Sequence, residues 1–136
     1  MRVVIDTNVI VSGVLNPHGP PGRIVNALLS ETVMHDDRIL SEYREVLLRP
    51  TFGCVRSDVE GLLDFVESTG EYVSAEPLWL VLPDPDDLPF LEVAISGAAG
   101  ALITGNIRHF KPQRGRHSAR VTTPADFLRH WGASRK

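Results

Sequence analysis

The sequence opens with Met1-Arg2-Val3-Val4-Ile5-Asp6, a short β-branched run that ends at a carboxylate. Further along the chain, similar short runs alternate with helix-like patterns. This alternation is typical of βαβ units wound into a mostly parallel sheet, and it predicts an α/β fold. The predicted strands are residues 2–5, 32–34, 78–82, 101–104 and 120–122.

Helix signals lie between these strands. Residues 23–30 follow a loop rich in glycine and proline and carry apolar side chains on one face. Asp37 is predicted to cap a helix that runs to residue 48, and Ser57 or Asp58 a helix that ends at residue 70. Further helices are predicted over 88–99 and from residue 124 onward. No repeat or linker interrupts the pattern, so residues 1–136 are predicted to form a single domain.

Composition narrows the class of protein. The 136 residues are 43% hydrophobic with a formal net charge of −3, which excludes a disordered or collagen-like chain. No stretch resembles a signal peptide or reaches the roughly 20 apolar residues that cross a bilayer. Cys54 is the one cysteine, which excludes an intramolecular disulfide and a multi-cysteine zinc site. We expect a soluble, cytoplasmic protein without membrane contact.

Asp6 lies at a position where binding sites form. In an open parallel sheet, sites lie outside the carboxyl ends of the strands. Thr7 and Asn8 follow Asp6 in place of the glycine-rich loop that a dinucleotide requires, so a Rossmann-type cofactor site is disfavoured. The alternative role for Asp6 is that of a helix N-cap, and the local pattern does not separate the two roles.

Glu42 lies at the margin of an apolar helix face. At about 100° per residue it falls beside Val46, whereas Glu45 points away from that face. A carboxylate at such a margin is costly to bury unless it meets a positive or hydrogen-bonding group. An arginine, either Arg38 or Arg49, is the structural alternative to a functional partner.

A further acidic cluster, Asp84-Pro85-Asp86-Asp87, precedes the helix predicted over 88–99. Asp87 shares the apolar face of that helix and is predicted to point toward the sheet. Two of the three acids fit turn-capping roles. If Asp6, Glu42 and Asp87 converge, each pair of charges about 4 Å apart repels by about 4 kcal/mol at an effective dielectric near 20. Such a cluster requires a cation, and oxygen ligands favour Mg2+ or Mn2+.

Two polar residues follow the strand predicted over 101–104. Thr104 is a candidate to hydrogen-bond one of the carboxylates, and Asn106 is a candidate neutral ligand, acting directly or through water. A simple turn after Gly105 is the alternative explanation for Asn106.

Four segments, in order along nearly the whole chain, carry a family resemblance. They are Asp6-Thr7-Asn8-Val9, Ser41-Glu42-Tyr43-Arg44-Glu45-Val46-Leu47 with Arg49-Pro50, Asp84-Pro85-Asp86-Asp87, and Ile103-Thr104-Gly105-Asn106 with His109-Phe110. Together they resemble a PIN-domain protein, most closely the toxins of toxin–antitoxin pairs related to VapC-type ribonucleases. The resemblance implies a Rossmann-like three-layer fold with a parallel five-stranded sheet flanked by helices. It also implies acids that hold Mg2+ or Mn2+ for hydrolysis of RNA phosphodiester bonds.

The resemblance assigns roles residue by residue. Asp6, Glu42 and Asp87 match the first three family acids and are the expected metal ligands, with Glu42 also a candidate to hold water or act as a base. Asn106 stands where the fourth acid is often aspartate, which leaves the number of metals open. Asn8 and Thr104 match supporting polar positions.

A basic stretch follows the last of these segments. Residues 108–120 contain five arginines and lysines and no acid, which suits contacts with RNA phosphates, although a solvated loop is the alternative. The candidate RNA-binding residues are Arg108, Lys111, Arg114 and Arg116. The resemblance further implies a cognate antitoxin and a homodimer.

Two other functions remain open. A catalytically silent PIN module would bind nucleic acid or a partner and keep the acids for structure. A receiver-like phosphate acceptor is disfavoured because it needs a lysine near the acids, and the chain holds only Lys111 and Lys136.

Overall fold

The computed structural model describes residues 1–113 and 120–134 and confirms the α/β fold with its parallel five-stranded sheet. The strands are β1 (Arg2–Ile5), β2 (Thr32–His35), β3 (Glu71–Tyr72), β4 (Ala101–Ile103) and β5 (Arg120–Thr122), in the order β3-β2-β1-β4-β5. The helices of the described residues are α1 (Thr7–Leu15), α2 (Pro20–Leu29), α3 (Asp37–Leu47), α4 (Arg56–Thr69), α5 (Leu88–Ser96) and α6 (Pro124–Ser134). Short 3₁₀ helices occur at Pro50–Phe52, Pro85–Asp87 and Ile107–Gln113.

Strand β1 lies at the centre of the sheet and fixes the position of the site. It pairs in parallel with β2 on one side and β4 on the other, with Ile5 opposite Ile103. The strand order runs one way from β1 to β3 and the other way from β4 to β5, so it reverses between β1 and β4. Ligand sites of open α/β sheets form outside the carboxyl ends of the strands at such a reversal.

The third strand was predicted wrongly. Residues 78–82 form no strand, although their exposure alternates as a strand's would: Trp79 and Val81 are 96% and 88% exposed, whereas Leu82 is buried. Leu78 N–H donates to Glu92 of α5 instead of to a neighbouring strand. The strand beside β2 is Glu71–Tyr72, which follows Gly70 directly. A Cβ on that glycine would lie 2.2 Å from the Val33 carbonyl oxygen, so glycine allows the close approach.

The helices differ from prediction mainly at their starts. Helix α1 was not predicted, and α2 begins at Pro20 rather than at residue 23. The cap of α3 is Asp36, whose Oδ1 accepts a hydrogen bond from Ile39 N–H at 3.0 Å, while Asp37 lies in the first turn. Helix α4 begins after Val55 without a side-chain cap, so neither Ser57 nor Asp58 caps it.

The core lies on both sides of the sheet and continues into the helices. The central residues of β1 and β4 are fully buried, as the continuous apolar runs of a parallel sheet require. Helices α1 and α2 pack so closely that a Cβ at Gly13 would lie 2.3 Å from Val25 Cγ2. Within the described residues, no helix combines the length and the apolar character that crossing a membrane requires.

Candidate active site

Asp6 and Thr104 meet at the reversal of the strand order. The sheet ladder extends past the strand ends, because Asp6 N–H donates to Ile103 at 2.8 Å and Thr104 N–H donates to Thr122 at 2.9 Å. Asp6 is 3% exposed, and its Oδ2 accepts a hydrogen bond from Thr104 Oγ1 at 2.7 Å. The Thr104 hydroxyl in turn accepts from Asn106 N–H at 3.0 Å. These bonds fix the carboxylate of Asp6 between β1 and β4.

Asp6 stands at the N-cap position of α1, but its side chain makes no capping hydrogen bond. The capping alternative therefore does not account for this carboxylate. Burial raises the pKa of Asp6, and the hydrogen bond from Thr104 opposes that increase. A carboxylate that is buried and ionised in this way favours a nearby cation.

Helix α3 brings Glu42 to the same edge. The residue after Glu42, Tyr43, is buried, and its hydroxyl group donates a hydrogen bond to the carbonyl oxygen of Ile5. This bond holds α3 against the end of β1. Glu42 is half-buried and accepts a hydrogen bond from the Thr7 hydroxyl. Burial raises the pKa of Glu42, and the negative charge of Asp6 raises it further.

The arginine alternative for Glu42 is wrong within the described residues. Arg38 pairs with Asp36 at 2.8 Å and with Glu92 at 2.6 Å, and Arg49 lies 4.0 Å from Glu45. Glu42 is therefore held by a neutral hydroxyl rather than neutralised by a guanidinium.

Asp87 approaches from the short 3₁₀ helix that precedes α5. It is 7% exposed, and its Oδ2 lies 2.9 Å from Nδ1 of His109. Burial, reinforced by the charge of Asp6, raises the pKa of Asp87 to about 6, and His109 opposes the increase. Asp84, Asp87 and His109 each place one potential ligand atom within 4.8 Å of the other two.

His109 is the residue of this cluster that sequence analysis missed as a site residue. It lies in the 3₁₀ helix after β4, where its N–H donates to the Asn106 carbonyl at 3.0 Å. The following residue, Phe110, is fully buried and fastens the turn to the core. The available sequence signal was a histidine beside an aromatic residue, shortly after a strand that ends at the site. Nothing in the local sequence indicated that the imidazole ring faces Asp87, 22 positions earlier.

The remaining predicted site residues are two asparagines and four basic residues. Asn8 is exposed, Asn106 is half-buried, and both line a cavity of about 360 Å³. Arg108 is exposed and precedes His109. Arg114, Arg116 and the side chain of Lys111 lie outside the described residues. A larger, mostly apolar cavity of about 560 Å³ is lined chiefly by α1, α2 and α4 and includes none of the predicted site residues.

The two described arginines of the basic stretch lie at opposite edges of the sheet. Arg120 begins β5 opposite Ala101, the first residue of β4, and therefore lies at the amino-terminal edge of the sheet. Arg108 follows the carboxyl end of β4 and lies on the side of the acids. Only part of the stretch is thus placed to meet a ligand bound at the cluster.

The donor set fits a divalent cation. In the described residues, no lysine or arginine forms an ion pair with Asp6, Glu42, Asp84 or Asp87. Burial raises the pKa of Asp6, Glu42 and Asp87, so the ionised form of each is disfavoured unless a positive charge lies nearby. Carboxylate oxygens suit Mg2+ and Mn2+, and the imidazole nitrogen of His109 is a donor that suits Mn2+ better than Mg2+.

Comparison with known proteins agrees with this architecture. The sequence is similar to uncharacterized protein MJ1680 of Methanocaldococcus jannaschii, with 30% identity over 111 residues, 78% of this chain and 71% of that protein. The fold is similar to that in the crystal structure of VapBC2 from Rickettsia felis bound to a DNA fragment from their promoter, with a TM-score of 0.58 and 19% identity. That likeness covers 90% of this chain and 98% of the other. The model of the PIN domain family matches residues 2–108, and the chain therefore belongs to the PIN-domain family.

Proposed function

We propose that this protein is a metal-dependent endoribonuclease that hydrolyses RNA phosphodiester bonds, and that it is the toxin of a toxin–antitoxin pair. The observation that carries the proposal is that Asp6, at the strand reversal, lies near enough to both Glu42 and Asp87 for its charge to raise their pKa values, with no lysine or arginine ion partner for these acids among the described residues. Membership of the PIN-domain family supports a nuclease, and the likeness to a VapBC2 structure supports a toxin.

In this proposal Asp6 and Asp87 would hold Mg2+ or Mn2+, and Glu42 on α3 would add a third carboxylate beside the ion. The ion, when bound, would lower the pKa of a water molecule and offset charge that develops on the leaving oxygen. Glu42, oriented by Thr7, accepts a proton from the attacking water. Thr104 keeps Asp6 in position, and Asn106 orients water or the RNA.

A cleavage assay tests the proposal. Purified protein should cut end-labelled RNA with Mn2+ or Mg2+, and EDTA should stop the reaction. Asp6→Asn should lower the rate at least about 100-fold, because it removes a carboxylate from the charge-stabilising centre. Asp64→Asn, an exposed acid on α4, is the matched control and should keep full activity. Cleavage that survives EDTA or Asp6→Asn contradicts the proposal.

The second candidate function is a catalytically silent module that binds nucleic acid or a partner. The neutral Asn106, at a position where the family often has aspartate, favours it. Wild-type protein would then bind RNA without metal and cut none of a broad set of substrates. Asn106→Asp separates the two functions further, because activity that appears only in this variant shows that the native site lacks a necessary charge.

The partners form part of the same proposal. We propose a cognate antitoxin, a homodimer and a cytoplasmic location. Co-expression of the reading frame directly upstream should relieve any growth arrest caused by the protein, and the pair should purify together. Light scattering should give the free protein twice its chain mass of 15.0 kDa. Unrelieved growth arrest, or a monomer at micromolar concentration, argues against these assignments.

A further inference from the structure

We propose that His109 is a direct nitrogen ligand of the divalent cation that Asp6 and Asp87 are proposed to hold, and that Asp84 is a further ligand of the same ion. The inference rests on the proposed metal dependence and goes beyond it, because sequence analysis indicated oxygen ligands alone. It also adds Asp84, which the family resemblance left outside the ligand set.

The separations within this cluster are those of ligands on one ion. Two ligands at about 2.1 Å from an octahedral ion, at right angles to each other, lie about 3.0 Å apart. Nδ1 of His109 and Oδ2 of Asp87 are 2.9 Å apart. Asp84 supplies a third atom within 4.8 Å of both. A cation bound at this cluster would replace the shared hydrogen bond, with Nδ1 free of its proton and the imidazole turned toward the ion.

Independent elements hold the three side chains in place. Asp87 N–H donates to the Asp84 carbonyl at 3.1 Å, and Asp86 N–H donates to Asp84 Oδ1 at 3.0 Å, which closes the turn before α5. His109 is held from the other side by its turn after β4 and by the buried ring of Phe110. The imidazole side chain is 38% exposed while that of Asp87 is 10% exposed, so solvent and ions reach the cluster on the side of the ring.

A nitrogen ligand changes which metal the site prefers. Oxygen ligands suit Mg2+ and Mn2+ alike, whereas imidazole is a better donor to transition metals than to Mg2+. His109 should therefore raise the affinity for Mn2+ more than the affinity for Mg2+. If His109 were only a charge partner of Asp87, Mn2+ and Mg2+ would both have to displace it. Its loss would then not change the ratio of the two affinities.

Pulsed EPR of Mn2+ bound to the intact protein, without RNA, tests the assignment. The wild type should show a ¹⁴N coupling from directly bound imidazole, and labelling histidine with ¹⁵N should change that signal without any mutation. His109→Gln should abolish the coupling, whereas His18→Gln, at an exposed loop residue, should retain it. In titrations, His109→Gln should weaken Mn2+ binding at least about tenfold and lower the ratio of Mn2+ to Mg2+ affinity.

The outcomes separate this inference from the proposed function. Bound Mn2+ without nitrogen coupling in the wild type overturns the role of His109 and leaves metal dependence intact. A coupling that persists in His109→Gln likewise assigns the nitrogen to another residue. Wild-type protein that binds no Mn2+ overturns both the inference and the proposed metal-dependent activity.

Discussion

In the metal-free protein the ionised Asp87 carboxylate lowers the free energy of unfolding. The direction in which this free energy changes with pH follows from the raised pKa of Asp87. The folded protein holds the Asp87 proton with a pKa of about 6, above the ordinary 3.8, because the carboxyl is buried and faces Asp6. The folded state therefore binds this proton more tightly than the unfolded chain does. Free energy of unfolding should fall as the pH rises from about 4 to about 6 and stay reduced above that range.

Asp87→Asn should remove this cost. The raised pKa corresponds to at most about 3 kcal/mol, and solvent screening reduces the expected gain to about 1–2 kcal/mol at neutral pH. Urea unfolding in EDTA should show the gain at pH 7.5 and little difference near pH 4. Asp64→Asn, exposed on α4, should match the wild type at both values. A variant less stable than the wild type at pH 7.5 would show that Asp87 contributes contacts that outweigh its repulsion.

The carboxylates of the site were predictable from the sequence, whereas most of the residues that hydrogen-bond to them were not. Asp6 could be predicted because a strand end is visible in the sequence, and Glu42 because helical angle is fixed by spacing. Thr7 and His109 could not be assigned, since each acts on a residue 35 or 22 positions away. Thr104 differs from these two residues, because it ends a strand and makes the predicted hydrogen bond to a carboxylate, that of Asp6.

The elements that carry the site are tied together by Glu92 of α5. This glutamate is 5% exposed and accepts hydrogen bonds from Arg38 Nη1 at 2.6 Å and from Leu78 N–H at 2.7 Å. Arg38 lies in the first turn of α3, the helix that bears Glu42, and Asp87 directly precedes α5. One buried carboxylate thus links α3, α5 and the segment at 78–82.

Glu92→Gln should loosen this junction. One donor would keep an oxygen acceptor while the other would face an amide N–H₂, so unfolding free energy should fall by about 1.5–3 kcal/mol. Glu60→Gln is the matched control, because Glu60 also pairs with an arginine, at 2.8 Å, but near the surface. It should cause a much smaller change, since exposed ion pairs are screened by solvent. Equal losses in urea unfolding would show that Glu92 does not hold the junction.

Two elements were predicted wrongly or missed, the strand at 78–82 and helix α1, because their sequence patterns did not match their structures. The alternation at 78–82 arises from an extended segment that packs one side on the core and bonds to α5 rather than to a strand. Helix α1 gives only a weak amphipathic signal, because the apolar residues of its sequence, TNVIVSGVL, are spread over more than one face and its buried residues include Thr7 and Gly13. Strands β1, β2 and β4 were predictable because each contains a short run of buried apolar residues, and β5 because Val121 and Thr122 are β-branched.

The formal net charge of −3 conceals a local concentration of acids at one edge of the sheet. The acids gather at the carboxyl edge between β1 and β4, where Thr104 meets Asp6 across 98 positions of sequence. Arg108 lies on this side, and Arg120 lies at the opposite edge. If RNA binds at this edge, as proposed, its phosphates lie on the side of Arg108 and not on that of Arg120.

RNA binding should accordingly depend on Arg108 and not on Arg120. In an Asp6→Asn background, which prevents cleavage, Arg108→Ala should weaken binding of single-stranded RNA and reduce the slope of log affinity against log salt by about 0.7, the value for one lost phosphate contact. Arg120→Ala removes the same charge from an exposed position at the far edge and should leave both quantities unchanged. Fluorescence anisotropy over a series of salt concentrations measures the two slopes. If both variants weaken binding equally, RNA affinity depends on the net charge of the protein rather than on the edge of the sheet at which a cation lies. Arg108 is then not a specific RNA-binding residue.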